Sequence, residues 1–122
     1  MDILIKATNY EITPDVSAYL DKRLATLERF LSGDIRLVRC EVEVGRAAGR
    51  PRHGTNIWFA EISIVQPGLA RVYARNNAET VNAAIDDVKE EVERQLRRDK
   101  RLHVRVLRKT GAALKKWMRF EN

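Results

Sequence analysis

Residues 57–75 contain two segments of alternating side chains that are separated by a tight-turn signal. Apolar side chains occupy every second position from 58 to 64 and again from 70 to 74, which is the period of a strand with one buried face. Between the two segments stands Gln66-Pro67-Gly68, with Pro and Gly in the order that a type II turn prefers. The pattern predicts an antiparallel hairpin, and any fold of this chain has to contain it.

Two more strands are predicted upstream of the hairpin. Ile3, Ile5 and Ala7 alternate with their neighbours and predict a first strand. Apolar side chains at positions 38, 40, 42 and 44 alternate with mostly charged ones and predict a second strand with one buried face. Residues 45–54 show no periodicity and contain both Gly and Pro, so we expect a loop there.

Two helices complete the predicted elements. Thr13-Pro14 favours a helix start, because Thr can cap with its hydroxyl and Pro suits the first helical position. Apolar residues at three- and four-residue steps over 16–31 predict four to five turns, ended by Gly33 in a left-handed cap. Asn76-Asn77 is expected to cap a second helix, whose apolar stripe runs over 81–96.

The predicted order of elements is therefore β-α-β-β-β-α. Two helices that cover one face of a four-stranded sheet would bury every apolar face at once. The first β-α-β unit should be right-handed, with its two strands parallel. A chain of 122 residues suits one compact α+β domain, predicted over residues 1–101 and followed by a basic C-terminal tail over residues 102–122.

The positive charge of the chain is concentrated at its C-terminal end. The formal net charge is +6. Residues 1–96 hold 13 Lys and Arg against 15 acidic residues, whereas residues 97–122 hold 10 against 2. A concentrated cationic surface attracts polyanions such as RNA, DNA or anionic lipid.

The sequence also bears on location. No apolar run approaches the roughly 18–20 residues that a membrane span needs, and the N-terminus lacks the basic and apolar regions of a signal peptide. The single cysteine, Cys40, excludes an internal disulfide and is typical of a reducing compartment. These features predict a cytoplasmic protein with no membrane partner.

No constellation of catalytic or metal-binding residues is found in the sequence. HExxH, CxxC, GxSxG and a Walker glycine loop are all absent. His53 and His103 have no second histidine at metal-ligand spacing, and Cys40 is predicted to be a buried structural thiol. We therefore expect a protein that is not an enzyme, with no metal, no cofactor and no small-molecule substrate.

Basic residues are the candidates for a binding site in this sequence. On the second helix, arginines recur at three- and four-residue steps along one stripe, which can meet successive phosphates of an RNA strand. The alternative is a solvated helix face, balanced by Glu90, Glu93 and Asp99. On the first helix Lys22 and Arg29 share a face, and the predicted loop is also basic. The candidate RNA-binding residues are Lys22, Arg23, Arg29, Arg46, Arg50, Arg52, Arg94, Arg97, Arg98, Lys100 and Arg101.

The tail combines aromatic and basic residues. Trp117 and Phe120 are flanked by Lys115, Lys116 and Arg119. These aromatic side chains could dock on the body of the domain, stack on bases of RNA or lie on an anionic membrane. Docking is the first of the three interpretations, RNA the second and a membrane the third.

Several short motifs stand in a distinctive order along the chain. Glu11-Ile12-Thr13-Pro14 opens the first helix, and residues 24–29, Leu-Ala-Thr-Leu-Glu-Arg, lie within it. In the second helix, Ala83-Ala84-Ile85-Asp86 is followed by Glu93-Arg94-Gln95-Leu96. Together with Pro67-Gly68 in the hairpin, these motifs resemble the ribosome hibernation-promoting factors, also called ribosome-associated translation inhibitors. The resemblance covers roughly residues 1–101.

The resemblance implies a fold like the double-stranded-RNA-binding domain, and the small ribosomal subunit with its rRNA as the partner. Members of that family occupy the places of tRNA and mRNA in the channel between head and body. They thereby block translation and protect idle ribosomes. Their rRNA contacts come from basic helix positions, which in this chain are Lys22, Arg23, Arg29, Arg94, Arg97, Arg98 and Arg101.

The chain departs from the family pattern in two places. Many relatives have a basic residue where this chain has Thr26, and Lys where it has Glu91, so the helical surface is less cationic here. The basic loop and tail could compensate. The tail is also too short for the second domain with which long members dimerise ribosomes, and the chain looks like a short form.

Two other functions stay open on the sequence alone. One is a binding module for free structured RNA, which would carry the same fold and charges. The other is a protein-interaction regulator, since an older label of the resembled family refers to modulation of an alternative sigma factor. The sequence makes no prediction about self-association.

Overall fold

A computed structural model describes residues 1–47 and 56–121, with side chains described as far as residue 102. It contains four strands, two α-helices and two short 3₁₀ turns. In chain order these are β1 (Asp2–Thr8), α1 (Pro14–Ala25), the 3₁₀ turns Glu28–Phe30 and Ile35–Leu37, β2 (Arg39–Arg46), β3 (Trp58–Val65), β4 (Val72–Ala78) and α2 (Val81–Glu121).

The four strands form one sheet in the order β1-β2-β3-β4. β1 and β2 are parallel, and the other two pairs are antiparallel. The hairpin turn has Gly68 at φ +76°, and the N–H of Leu69 donates a 3.1 Å hydrogen bond to the carbonyl of Gln66, as a type II turn requires. The predicted α+β fold with the order β-α-β-β-β-α is confirmed.

Both helices and strands β2, β3 and β4 contribute to one hydrophobic core. Leu20 and Leu24 of α1, Ile62 of β3, and Ile85 and Val92 of α2 are all at most 1% exposed. α2 packs across β3 and β4, and α1 packs against α2. Both helices therefore bury their apolar stripes against one another and the sheet.

The first helix is shorter than the apolar periodicity predicts. Thr13 caps it as expected, because its hydroxyl accepts a 3.3 Å hydrogen bond from the N–H of Val16. The α-helix ends at Ala25, however, and not near residue 31. The N–H of Leu27 bonds to the carbonyl of Leu24, a 3₁₀-type contact that tightens the chain. Apolar spacing of three residues fits both kinds of turn, so the sequence pattern could not separate them.

The start of the second helix also differs from the prediction. Asn76 and Asn77 do not cap it but continue β4, where they pair with Ala60 and Phe59 of β3. Thr80 is the cap, since its hydroxyl accepts a 3.1 Å hydrogen bond from the N–H of Ala83. Asn is depleted in strands and favoured at helix caps, and here pairing with β3 outweighs that local preference.

The inward face of β1 is less buried than predicted. Ile5 packs against the core, but Ile3 is 37% exposed and Ala7 is exposed as well. The reason is position, because β1 is one edge strand of the sheet and α2 lies over β3 and β4, towards the opposite edge.

The backbone of α2 runs without a break from Val81 to Glu121. The predicted boundary between residues 101 and 102 falls within this helix, and the separate domain and tail stay a prediction.

Candidate nucleic-acid interface

The two helices are tied together through Asp86 of α2. The hydroxyl of Tyr19 on α1 donates a short hydrogen bond to this carboxylate, and Nε of Arg23 donates a second at 2.9 Å. The hydrogen bond to Asp86 and partial burial raise the pKa of Tyr19 above its ordinary value. Arg23 also lies over the ring of Tyr19. This network fixes how the basic residues of one helix face those of the other.

About two turns further along α2, Glu93 is shared by three cations. Its carboxylate oxygens lie 3.4 Å from Nζ of Lys89, 3.6 Å from a terminal nitrogen of Arg97 and 3.8 Å from one of Arg29. The side chain of Glu93 is only 14% exposed. A single carboxylate offsets one of three positive charges, so this junction keeps an excess of positive charge while its geometry is held in place.

The ring of Phe30 packs against two of the arginines near Glu93. The guanidinium carbon of Arg29 lies 4.6 Å from the ring centroid, and that of Arg97 lies 5.0 Å from it. Nζ of Lys100 donates a 3.0 Å hydrogen bond to the backbone carbonyl of Arg29. Phe30, Arg97, Lys100 and Arg101 line a depression of about 350 Å³. We call Arg29, Phe30, Arg97, Lys100 and Arg101 the Phe30 cluster.

Four arginines of α2 share one exposed face. Arg94, Arg97, Arg98 and Arg101 fall within an arc of about 100° at 3.6 residues per turn, and all four are exposed. Three of them have a carboxylate nearby: Arg94 has Glu91 at 3.3 Å, Arg97 has Glu93, and Arg98 has Asp99 at 3.9 Å. Their side chains nevertheless stay 72%, 52% and 67% exposed. Guanidinium donors on this face are therefore accessible to an external anion.

The three predicted site residues near α1 have different surroundings. Lys22 is exposed on the surface of the helix. Arg29 is 71% exposed and belongs to the Phe30 cluster. Arg23 is only 31% exposed and is bonded to Asp86, so its main contact is within the protein.

The predicted basic loop contributes one described residue. Arg46 ends β2, and its guanidinium carbon lies 5.3 Å from the ring centroid of Trp58. Arg50, Arg52 and His53 lie outside the described residues. The same holds for the side chains of His103, Trp117 and Phe120, although α2 extends through their positions.

The sheet face opposite the helices is charge-balanced and not uniformly basic. A cross-strand row places Lys6, Glu43, Glu61 and Arg75 side by side. The hydroxyl of Thr8 donates a 2.6 Å hydrogen bond to Glu43 and lowers the pKa of that carboxyl group. A shallow depression of about 290 Å³ crosses this face. Because acids occupy its centre, this surface is a poorer match for RNA than the helical one.

The roles of Phe30 and Glu93 do not follow from the sequence. The sequence pattern places Phe30 in the apolar stripe of the first helix. It places Glu93 among the acids that balance a solvated helix face and in one motif of the family resemblance, with no role at an interface. The adjacency of Arg29 and Phe30 is a weak signal for an arginine–aromatic contact. Nothing local could indicate that Arg97, 67 residues downstream of Phe30, reaches the same ring.

Other kinds of site find little support. Cys40 is 1% exposed, and burial raises the pKa of its thiol to about 12, as expected for an inert structural thiol. Among the side chains that the structure describes, no group of three or more His, Cys, Asp or Glu could hold a metal ion. Within residues 1–47 and 56–121, no helix is both long and apolar enough to cross a membrane.

Comparisons with known proteins agree on the kind of protein. The model of the family described as "Sigma 54 modulation protein / S30EA ribosomal protein" matches residues 3–103. The N-terminal domain of Protein Y from Thermus thermophilus superposes with a TM-score of 0.63 and 29% identity, covering 80% of this chain and 98% of that one. No curated protein sequence gives a significant match.

A second solved structure is similar in fold alone. A ribosomal subunit interface protein from Coxiella burnetii superposes with a TM-score of 0.60 and 14% identity, covering 79% of this chain and 93% of that one. The two structures together support the four-stranded sheet with two helices.

Proposed function

The chain belongs to the sigma 54 modulation protein/S30EA ribosomal protein family, and on that basis we propose that it is a translation inhibitor that binds the small ribosomal subunit. In this proposal it enters the channel between head and body, contacts rRNA there, and blocks translation by occupying the space of tRNA and mRNA. Its place of action is then the cytoplasm, and it acts as a binding protein and not as an enzyme.

The observation that carries the proposal is the exposed cationic surface formed by the Phe30 cluster and the arginine face of α2. The two parts join through Arg97 and Arg101, so the surface is continuous. Guanidinium groups spaced by one helical turn can each replace a counterion on a phosphate. The charge count agrees, because the first 96 residues carry slightly more acid than base and the excess of base lies at 97–122.

Phosphate contacts alone do not select one RNA over another. Specificity for the ribosome must then come from the shape of the domain, which the core and the Asp86 network hold rigid. A rigid two-layer wedge with one cationic face suits a channel with rRNA walls better than an isolated duplex.

Co-sedimentation tests the proposal. The purified protein is mixed with small ribosomal subunits, large subunits or an equal mass of free structured RNA, and pelleted at moderate salt. We expect preferential pelleting with small subunits, and inhibition of a cell-free translation reaction at matching concentrations.

Equal binding to free RNA would instead identify a general RNA-binding module. A partner in cell extract that survives nuclease treatment, with no enrichment on ribosomes, would favour a regulator that acts through protein contacts.

A further inference from the structure

The outer edge of β1 is an unpaired strand edge. In the part of the chain that the structure describes, β1 pairs only with β2. An unpaired edge presents N–H and C=O groups that can bond to another strand. This edge is also unusually apolar, since Leu4 is 65% exposed and Ile3 is 37% exposed.

The backbone geometry shows which groups point outward. The N–H of Asp2 donates to the carbonyl of Val38, just before β2. Alternate residues of a strand direct their polar groups to opposite edges. Leu4 and Lys6 therefore bond towards β2, as Asp2 does, and the N–H and C=O groups of Ile3, Ile5 and Ala7 point away from the sheet.

The sequence of β1 is self-complementary about Leu4. If two copies of β1 run antiparallel with Leu4 opposite Leu4, Ile3 of each copy stands opposite Ile5 of the other. Asp2 of each copy then stands opposite Lys6 of the other. Both charged side chains are exposed, and neither forms an ion pair with any described residue.

Hydrogen bonding selects the same register. The outward groups of Ile3 and Ile5 form the hydrogen-bonded pairs, while Leu4 with Leu4 and Asp2 with Lys6 form the non-hydrogen-bonded pairs, whose side chains lie closer. Shifting one strand along the other by two residues in either direction keeps the backbone hydrogen bonds between the two copies. It also moves Asp2 of each copy away from Lys6 of the other. Two-fold symmetric association requires a self-complementary patch of this kind.

We propose that the β1 edge binds the β1 edge of a second copy of this chain, in the register that places Leu4 opposite Leu4, to form a continuous eight-stranded sheet. The two-fold axis is perpendicular to the sheet, so both helical layers lie on the same face. The cationic surfaces of the two copies are then displayed on one side of the dimer. This inference does not depend on the proposed function.

Engineered cysteines test the register. Non-hydrogen-bonded partners have Cα atoms about 4.5 Å apart, which is within the range of a disulfide. Under oxidising conditions Leu4→Cys should form a covalent dimer that a reductant reverses. Lys6→Cys is the control, because its two copies stand four residues out of register, roughly 13 Å apart along the strand, and should not cross-link. The native Cys40 is buried and does not compete.

Charge exchange tests the pairing without covalent chemistry. Sedimentation velocity from about 10 µM to about 1 mM should show a reversible dimer of the unmodified chain. Asp2→Lys or Lys6→Asp alone turns both attractive pairs repulsive and should raise the dissociation constant about tenfold. Mixing the two variants restores every pair and should restore dimerisation, whereas Asp21→Lys on α1 should change nothing.

Circular dichroism of each variant confirms folding before these comparisons are made. Equal cross-linking of the two cysteine variants, a monomer at every concentration, or no recovery on mixing the charge variants would each overturn the proposal.

Discussion

Nζ of Lys100 donates a 3.0 Å hydrogen bond to the backbone carbonyl of Arg29, 71 residues earlier in the chain. The bond fixes the 3₁₀ turn after α1 against the middle of α2. It also uses only one of the three donors of the ammonium group, so Lys100 can hold the Phe30 cluster together and still face an anion.

Removing the four exposed arginines of α2 that share one face should weaken binding to the small subunit. In a variant with Arg94, Arg97, Arg98 and Arg101 changed to Gln, we expect lower affinity at moderate salt. The slope of log K against log salt should fall by about 3, since each phosphate contact contributes roughly 0.7–0.9. The measurement is a binding titration at several salt concentrations.

The matched control removes four positive charges from other surfaces. Arg36, Arg39, Arg71 and Arg75 are exposed, and none of them belongs to the Phe30 cluster or to the four arginines of α2. Changing these four to Gln alters the net charge by the same amount, but most of the slope of log K against log salt should remain. If both variants lose the same affinity, only net charge matters and the cationic face has no special role.

Glu93→Gln should destabilise the domain. The change leaves the buried ammonium of Lys89 and the neighbouring Arg29 and Arg97 without their shared carboxylate. We expect the free energy of unfolding, measured by urea titration, to fall by about 1–3 kcal/mol. Glu90→Gln is the control, because Glu90 is exposed and the expected change is within ~0.5 kcal/mol. Equal effects would show that Glu93 does not organise the junction.

Glu91→Gln should increase affinity for the small subunit. The Glu91 carboxylate lies 3.3 Å from the guanidinium of Arg94 and competes with phosphate for it. Exposed ion pairs contribute ~0.2–1 kcal/mol, so we expect binding to tighten by a factor of about 1.4 to 5 in the same titration. Glu11→Gln, an exposed change before α1, controls for net charge. Unchanged affinity would mean that Arg94 does not contact rRNA.

Stability should decline at high pH through Tyr19. The phenol donates a hydrogen bond to Asp86 only while protonated, and its pKa in the folded protein is raised above the ordinary value of 10.0. Its contribution is therefore present below about pH 10 and is lost as pH rises through the raised pKa. Tyr19→Phe should lower the free energy of unfolding by about 1 kcal/mol at neutral pH.

The same variant should flatten the alkaline decline. Tyr73 carries a second raised pKa, caused by a hydrogen bond to Glu61 and by burial, so the Tyr19→Phe/Tyr73→Phe double variant should decline least. Urea titrations between pH 7 and pH 11 measure these differences. An alkaline decline as steep in the double variant as in the unmodified chain would contradict this assignment.

Gly45→Ala should disrupt the pairing of β1 with β2. A Cβ at this position would lie 2.0 Å from the backbone oxygen of Thr8, so a strand has to move. We expect a loss of more than about 2 kcal/mol in the free energy of unfolding. Gly33→Ala is the comparison, because a Cβ added there would meet no atom within 4 Å. Its φ of +72° is unfavourable for Ala, so the free energy of unfolding should fall by only about 1–2 kcal/mol.

Much of the fold could be predicted from the sequence, because alternating and helical periodicities report directly on buried faces. The hairpin, the parallel β1–β2 pair and the Thr13 cap are examples. The boundaries at Ala25 and at Asn76-Asn77 could not be predicted, since a 3₁₀ turn shares the apolar spacing and strand pairing overrode the preference of Asn.

The candidate site was predictable only in part. Helical spacing placed the α2 arginines on one face, but no local pattern shows that Arg23 is bonded to Asp86 or that Arg29 and Arg97 meet over Phe30. Those contacts join residues more than 60 positions apart, and they follow from how the helices pack.

The unbroken backbone of α2 extends well past the last α2 residue that packs in the core. Leu96 is the last α2 residue in the core, and the helix continues to Glu121. At 1.5 Å per residue the portion after Leu96 measures roughly 37 Å. If the Phe30 cluster binds the partner, the C-terminal part of α2 would contact the partner at a second, distant position. Truncating this part of the helix should abolish the second contact and leave the contact at the Phe30 cluster intact.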